Sequence, residues 1–167
     1  MVTVNFKGSP VTLNGKFIKV GEVAPDFRLV KKDLSTLSLS ELKGKKVVLN
    51  IFPSLDTKVC AMSVRKFNKM ASDMNNTIVL AISKDLPFAQ ERFCTTEGIE
   101  NVVPLSDFRK SGFDADYGLL MEDGPLAGLL ARAVVVIDEQ GKVTYTELVS
   151  ETTQEPNYDK ALEAVKK

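Results

Sequence analysis

Lys46-Val47-Val48-Leu49-Asn50-Ile51-Phe52-Pro53-Ser54-Leu55-Asp56-Thr57-Lys58-Val59-Cys60 is the stretch on which the fold turns. Residues 46–52 are apolar and rich in β-branched side chains, which predicts a buried strand. Pro53 to Val59 break that strand. Beyond Cys60, Val64, Phe67, Ala71 and Met74 follow at steps of three, four and three, the spacing of a helix's inner face. Cys60 therefore stands at a strand–turn–helix junction, in the first helical turn. Unpaired backbone N–H groups and the positive end of the helix dipole favour an anion there. A thiolate is an anion, so this position predicts a reactive cysteine rather than an inert one.

Working outward, Thr77 to Ser83 forms a second apolar run. Asp85-Leu86-Pro87 opens a helix that runs to about Glu97 and stops at Gly98, with Cys94 near its end. Val102 to Leu105 is a short strand candidate. Residues 106–131 are irregular and glycine-dotted, with a helical turn at 107–113. Ala133 to Asp138 is a third buried strand, and Glu139-Gln140-Gly141 turns it into an antiparallel partner at 143–148. Tyr158 to Lys167 is a terminal helix. Upstream, Val2–Phe6, Val11–Leu13 and Phe17–Val20 are strand-like, and Asn14-Gly15 is the expected hairpin turn. Leu37 to Leu42 passes from a short strand to a helical turn, with Ser40 as its cap and Gly44 ending it.

Strands alternating with helices from residue 46 onward predict an α/β domain whose sheet is covered on both faces. The order resembles the thioredoxin layout: a central mixed sheet flanked by helices, with an N-terminal β-hairpin extension. The expected division is a hairpin extension at 1–17 and one thioredoxin-like domain at 18–167.

Composition narrows the chemistry. The chain has 167 residues, with 22 basic and 22 acidic side chains. A balanced charge argues against capture of nucleic acid or an anionic membrane. No apolar run approaches the roughly 20 residues that span a bilayer, and the start lacks a signal-peptide pattern, so a cytoplasmic location is expected. There is no histidine, which removes Ser-His-Asp and Cys-His catalysis and the common zinc-enzyme ligand sets. Two cysteines cannot build a four-ligand zinc site, and no nucleotide-binding glycine motif is present. No metal or organic cofactor is indicated. Thiols, carboxylates, hydroxyls and arginines remain.

Each candidate also has a plain structural reading. A free cysteine is commonly buried packing. Thr57 and Asp56 are good helix caps, and the Thr57 hydroxyl stands where it can share a pocket with the sulfur. Arg132 opens a buried strand, though an arginine at a strand's start usually reaches solvent. Pro53 can be a simple strand terminator, and Cys94 can be core packing beside Phe93.

Pro53-x-x-x-Thr57-x-x-Cys60 matches the peroxiredoxin active-site signature. The blocks 50–57, 63–68, 86–94, 123–126 and 131–138 resemble bacterial thiol peroxidases, the atypical two-cysteine group of that family. The resemblance covers nearly the whole chain. It implies a peroxidatic role for Cys60, shielding by Pro53, and a hydrogen bond from Thr57 to thiolate and peroxide. It also implies an active-site cation at Arg132 and a resolving cysteine at Cys94. Such proteins reduce hydrogen peroxide and alkyl hydroperoxides, are recycled by thioredoxin, and form homodimers. Tract 106–131 is a candidate for the paired surface.

Those roles agree with the chemistry. Attack on a peroxide needs a thiolate, donors aimed at the leaving oxygen and a fixed cation, and Arg132 is always charged. A sulfenic acid needs a second thiol to escape further oxidation, and Cys94 is the only other one. Closing that ring would contribute about 3–4 kcal/mol in the loop-entropy model. A disulfide needs Cα atoms within about 7 Å, so side chains on two helices imply local unfolding during each cycle. Lys58 and Met62 depart from the residues expected in relatives. Two other readings stay open: Cys60-x-x-Ser63 as a monothiol disulfide exchanger, and a non-enzymatic module with incidental cysteines.

Overall fold

The strand expected at 46–52 lies in the interior of a seven-stranded sheet in the computed structural model, which describes residues 2–167; Met1 lies outside them. In chain order the elements are β1 (Thr3–Phe6), β2 (Ser9–Thr12), β3 (Arg28–Lys31), β4 (Thr36–Ser38) and a 3-10 turn at Leu39–Leu42. There follow β5 (Lys46–Ile51), α1 (Lys58–Ala71), β6 (Thr77–Ser83), α2 (Pro87–Glu97) and β7 (Val102–Ser106). The chain ends with α3 (Phe113–Asp116), β8 (Ala133–Ile137), β9 (Val143–Leu148) and α4 (Tyr158–Lys166). The sheet order is β4-β3-β7-β6-β5-β8-β9. Strands β5, β6 and β7 are parallel, and β8 runs antiparallel to β5.

This topology decides which face carries the helices. The connections β5–α1–β6 and β6–α2–β7 both step toward the same sheet edge. Right-handed crossovers then put both helices on one face. There, α1 supplies Val64 and Phe67, α2 supplies Cys94 and α4 supplies Ala161 and Val165, packed on Val48, Val79, Ala81, Val134 and Val136. The alternate residues Val47, Leu49, Ile51, Leu80, Ile82, Val135 and Ile137 point to the other face. Irregular chain covers that side: Phe113, Tyr117, Leu119, Met121 and Leu130 are all fully buried. Tract 106–131 thus contributes to the core on that face, with its buried residues packed beside those of the sheet. Phe113 and Tyr117 stack at 4.6 Å, and Phe27 meets Phe113 edge-on at 5.3 Å.

Four local expectations are corrected. The hairpin turn is Lys7-Gly8, not Asn14-Gly15: Phe6 pairs with Ser9, and both turn residues have positive φ, 51° and 84°. That geometry matches the twist of a two-residue hairpin. Gly15 serves packing instead, because a Cβ there would meet the Ala115 carbonyl and Gly118 Cα at 3.4 Å. Asn14 pairs with Leu120 through its backbone N–H and its side-chain oxygen. Phe17–Val20 is consequently no strand. The helical turn expected at 107–113 begins at Phe113, where Ser111 Oγ accepts from the Phe113 N–H and donates to Asp107. The cap of the 3-10 turn is Ser38 rather than Ser40, in a reciprocal capping box with Glu41. Among the described residues no helix is long and apolar enough to cross a membrane.

Candidate active site

Register, not sequence distance, assembles the site. Ile51 pairs with Ala133 across the β5–β8 ladder. Arg132, one residue before Ala133, therefore sits beside Phe52, where β5 gives way to Pro53 and the cysteine turn. Cys60 is the third residue of α1, whose N-cap is Thr57 in extended backbone (φ −97°, ψ 146°). Cys60 is fully buried and Arg132 is 2% exposed. Arg132 Nη2 donates to Cys60 Sγ at 3.1 Å, and Nε donates to the Thr152 carbonyl at 3.0 Å. Nη1 is buried with no hydrogen-bond partner. Arg132 lines a cavity of about 400 Å³ together with Phe6, Lys7, Pro53, Thr57, Lys58, Val59, Leu126, Thr152 and Thr153.

The sulfur therefore meets a permanent cation and belongs to the first turn of α1, the positive end of that helix. Both act on a negative charge where water is scarce, so both are less screened than at a surface. The unpaired Nη1 leaves one buried guanidinium donor free for a further oxygen. Hollows of about 620 and 790 Å³ lie along α4, but neither is lined by Arg132, the residue that touches the Cys60 sulfur. Cys60 itself lies beneath the wall of the cavity of about 400 Å³ rather than on its surface.

Pro53 is buried in the cavity wall beside Arg132 and Thr57. Thr57 lines the same cavity, but its hydroxyl donates to the Ser54 carbonyl at 3.0 Å and not to the sulfur. Its oxygen lone pairs remain able to accept. Cys94 lies outside the cavity, on α2, buried among Phe93, Ile99 and Val102. Burial pushes its thiol above the usual range, with Lys32 acting weakly the other way. Both cysteines are free thiols. No cluster of three or more His, Cys, Asp or Glu suited to a metal occurs among the described residues.

Sequence reasoning names Ser63 only as part of a disulfide-exchanger pattern, and it misses Thr152 and Glu151. Ser63 Oγ donates to the Cys60 carbonyl at 2.8 Å and accepts from Asn50 Nδ2 at 3.2 Å, which fixes α1 on β5. Thr152 accepts from Arg132, and its N–H and hydroxyl both donate to the Asn5 carbonyl at 2.8 Å. Glu151 accepts from the N–H groups of Lys7, Gly8 and Thr153 and from the Thr153 hydroxyl. These bonds hold the carboxyl down at about 2, the Thr153 N–H contributing most. The hairpin is thereby stitched to the loop that holds the arginine. Such contacts span more than 140 residues, and no local pattern signals them.

A family model described as Redoxin matches residues 19–162. The chain is 53% identical over 165 residues to the thiol peroxidase of Corynebacterium glutamicum, covering 99% of each. The chain belongs to the Redoxin family. The redoxin is equally similar, 53% over 165 residues, to the thiol peroxidase of Mycobacterium bovis. A crystal structure of a peroxiredoxin-like protein from Aquifex aeolicus superposes with a TM-score of 0.92 at 48% identity, over 98% of this chain and 95% of that one. A thiol peroxidase from Chromobacterium violaceum shares the fold at 21% identity, with a TM-score of 0.91. This redoxin is a peroxiredoxin enzyme with the thioredoxin-like fold.

Proposed function

We propose that this redoxin reduces hydrogen peroxide and small alkyl hydroperoxides through Cys60, with Cys94 as resolving thiol and thioredoxin as reductant. The observation that carries the reading is the 3.1 Å contact between Arg132 Nη2 and the buried Cys60 Sγ, made by an arginine that lines a cavity with Pro53 and Thr57 and keeps Nη1 unpaired. The Cys60 thiolate attacks the nearer peroxide oxygen, the O–O bond breaks, and the leaving oxygen departs with a proton as water or alcohol. The sulfur is left as a sulfenic acid. Arg132 stabilises charge on sulfur and on the leaving oxygen. The Thr57 oxygen accepts the hydrogen bond of the incoming O–H, and Pro53 keeps bulk water off the sulfur. The walls formed by Phe6, Val59 and Leu126 take an alkyl group.

Resolution follows when Cys94 sulfur displaces the sulfenic oxygen as water and forms the Cys60–Cys94 bond. Both thiols are buried on separate helices, so this step proceeds through opening of the first turn of α1 and the end of α2. A dithiol reductant such as thioredoxin restores both thiols. In this reading residues 18–167 form the catalytic domain, 1–17 an accessory hairpin, and the enzyme works as a cytoplasmic homodimer.

The monothiol exchanger reading is disfavoured by Ser63, whose hydroxyl is buried and spent on the Cys60 carbonyl. Steady-state peroxide consumption with thioredoxin and its reductase tests the proposal. Wild type is expected to turn over, Cys60→Ser to be inactive, and Cys94→Ser to be oxidised once without thioredoxin-driven recycling. Full steady-state turnover by either variant would refute the assigned roles.

A further inference from the structure

We propose that the Asp85 carboxylate is a latch that holds the cysteine turn closed and so divides the oxidised enzyme between disulfide formation and over-oxidation. The inference rests on the catalytic reading above. Asp85 stands between β6 and α2, at the head of the helix that carries Cys94. Its side chain reaches across to the segment that precedes α1. Asp85 Oδ1 accepts from Ser54 Oγ at 2.7 Å, and Oδ2 accepts from the Leu55 N–H at 2.8 Å and from Ser83 Oγ at 2.7 Å. The Asp85 carbonyl accepts from Ser106 Oγ, which anchors the carboxylate's own backbone to β7.

The grip passes on to the nucleophile through one residue. Ser54 carries the Asp85 contact on its hydroxyl, and its carbonyl receives both the N–H and the hydroxyl of Thr57, the N-cap of α1. The same Ser54 hydroxyl accepts from the Asp56 N–H at 3.1 Å. Cys60 lies three residues beyond Thr57. The hub also reaches α2: Gln90, fully buried, donates to Ser83 Oγ at 3.3 Å and to the Leu105 carbonyl at 2.8 Å. One carboxylate thus ties the turn before one redox cysteine to the strand end before the other. It is a positioning residue, since it touches neither sulfur.

The consequence follows from competition for one intermediate. While the turn is closed, the Cys60 sulfenic acid stays against Arg132, which lines the cavity. A second peroxide can oxidise it there to sulfinic acid, its distal oxygen leaving as water or alcohol. Once the turn opens, Cys94 displaces the sulfenic oxygen as water. The latch sets the opening equilibrium, and therefore the peroxide dose at which half of the protein ends as sulfinic acid. Hydrogen bonds to a charged acceptor are the strong ones, and deleting the acceptor strands the buried Leu55 N–H.

Reduced wild type, Asp85→Ala, Asp85→Asn and Ser54→Ala are titrated with hydrogen peroxide, and Cys60 is weighed by mass spectrometry. Asp85→Ala is expected to raise the half-sulfinate dose about tenfold, and to speed amide exchange in residues 54–60 while leaving β5 and β6 protected. Asp85→Asn, which keeps an oxygen for the Leu55 N–H, is expected to lie within about threefold of wild type. Ser54→Ala shifts the dose in the same direction by less, and keeps the test decisive should Asp85→Ala fail to fold. Leu29→Ala, a core cavity on the far face of the sheet, controls for general destabilisation and is expected to leave the dose unmoved. An unchanged dose in Asp85→Ala and Ser54→Ala, or an equal shift in Leu29→Ala, overturns the latch. A wild type that forms no Cys60–Cys94 bond overturns instead the catalytic reading beneath it.

Discussion

Replacing Arg132 with methionine separates the chemistry of the site from its stability. The side chain makes one bond to Sγ, one to the Thr152 carbonyl, and keeps Nη1 buried and unpaired. A hydrogen bond to a charged partner contributes about 1.5–3 kcal/mol. A donor aimed at a developing oxyanion is worth about 2.7–4 kcal/mol. These effects act on overlapping charges and do not add. The larger alone predicts a loss of about 10²–10³ in the rate of Cys60 oxidation. Stability moves little, because two costs oppose. Methionine leaves the Thr152 carbonyl without its donor, about 1–3 kcal/mol. It also removes a buried cation with no carboxylate partner, which relieves a desolvation penalty of similar order. Arg132→Lys is expected to fall between, since one ammonium cannot reproduce a planar fork that reaches a carbonyl and a sulfur together. The assay is rapid mixing of a Cys94→Ser background with a peroxide series, trapping the sulfenic acid for mass analysis, beside a thermal melt. Oxidation of Arg132→Met within about threefold of its parent, in protein that melts cooperatively, would refute the role given to the guanidinium.

Three further outcomes are expected. The Cys94 thiol is raised by burial, so the folded state holds its proton above the pH at which the unfolded thiol, near about 8.5, lets go. Its contribution to stability is full below that pH and fades as pH rises; urea melts of reduced protein at neutral and alkaline pH should show a slope that Cys94→Ala lessens. Glu151 is held to about 2 by the N–H groups of Thr153, Gly8 and Lys7 and the Thr153 hydroxyl. Its contribution is present above the ordinary carboxyl range and lost as pH falls toward about 2, so the melting-temperature gap between wild type and Glu151→Gln should close over that interval. Phe67→Ala empties a fully buried site where the ring meets Tyr158 edge-on at 5.3 Å. A cost of about 3–5 kcal/mol corresponds to a melting temperature lowered by about 6–20 °C.

The parts legible in the sequence are those where periodicity and burial agree. Lys46–Ile51 and Thr77–Ser83 are mostly apolar because they lie in the interior of a covered sheet, and Pro87–Glu97 carries both of its end signals, proline at the start and Gly98 at φ 65°. The hairpin turn was hidden because Lys7 adopts a positive φ that its residue type does not advertise, while Asn14-Gly15 spends a turn-like pair on close packing. Tract 106–131 concealed a core layer because its buried residues, Phe113, Tyr117, Leu119, Met121 and Leu130, hold no single period for long enough to mark one element. Within the site, Cys60 is announced by its own junction. Arg132 meets it only through the β5–β8 register, and Thr152, Glu151 and Asp85 act through backbone groups far away in sequence. The expected bond from Thr57 to the sulfur is replaced by one to the Ser54 carbonyl, a choice between two nearby acceptors that residue types cannot decide.

The central claim is that the buried sulfur of Cys60, held against Arg132, is the atom that first meets peroxide. The most direct measurement is the second-order rate at which one equivalent of peroxide oxidises the Cys94→Ser protein, with the modified residue mapped by mass. A single sulfenic acid on Cys60, formed orders of magnitude faster than on free cysteine, is the predicted result. Oxidation no faster than free cysteine, or oxygen added elsewhere first, would contradict it.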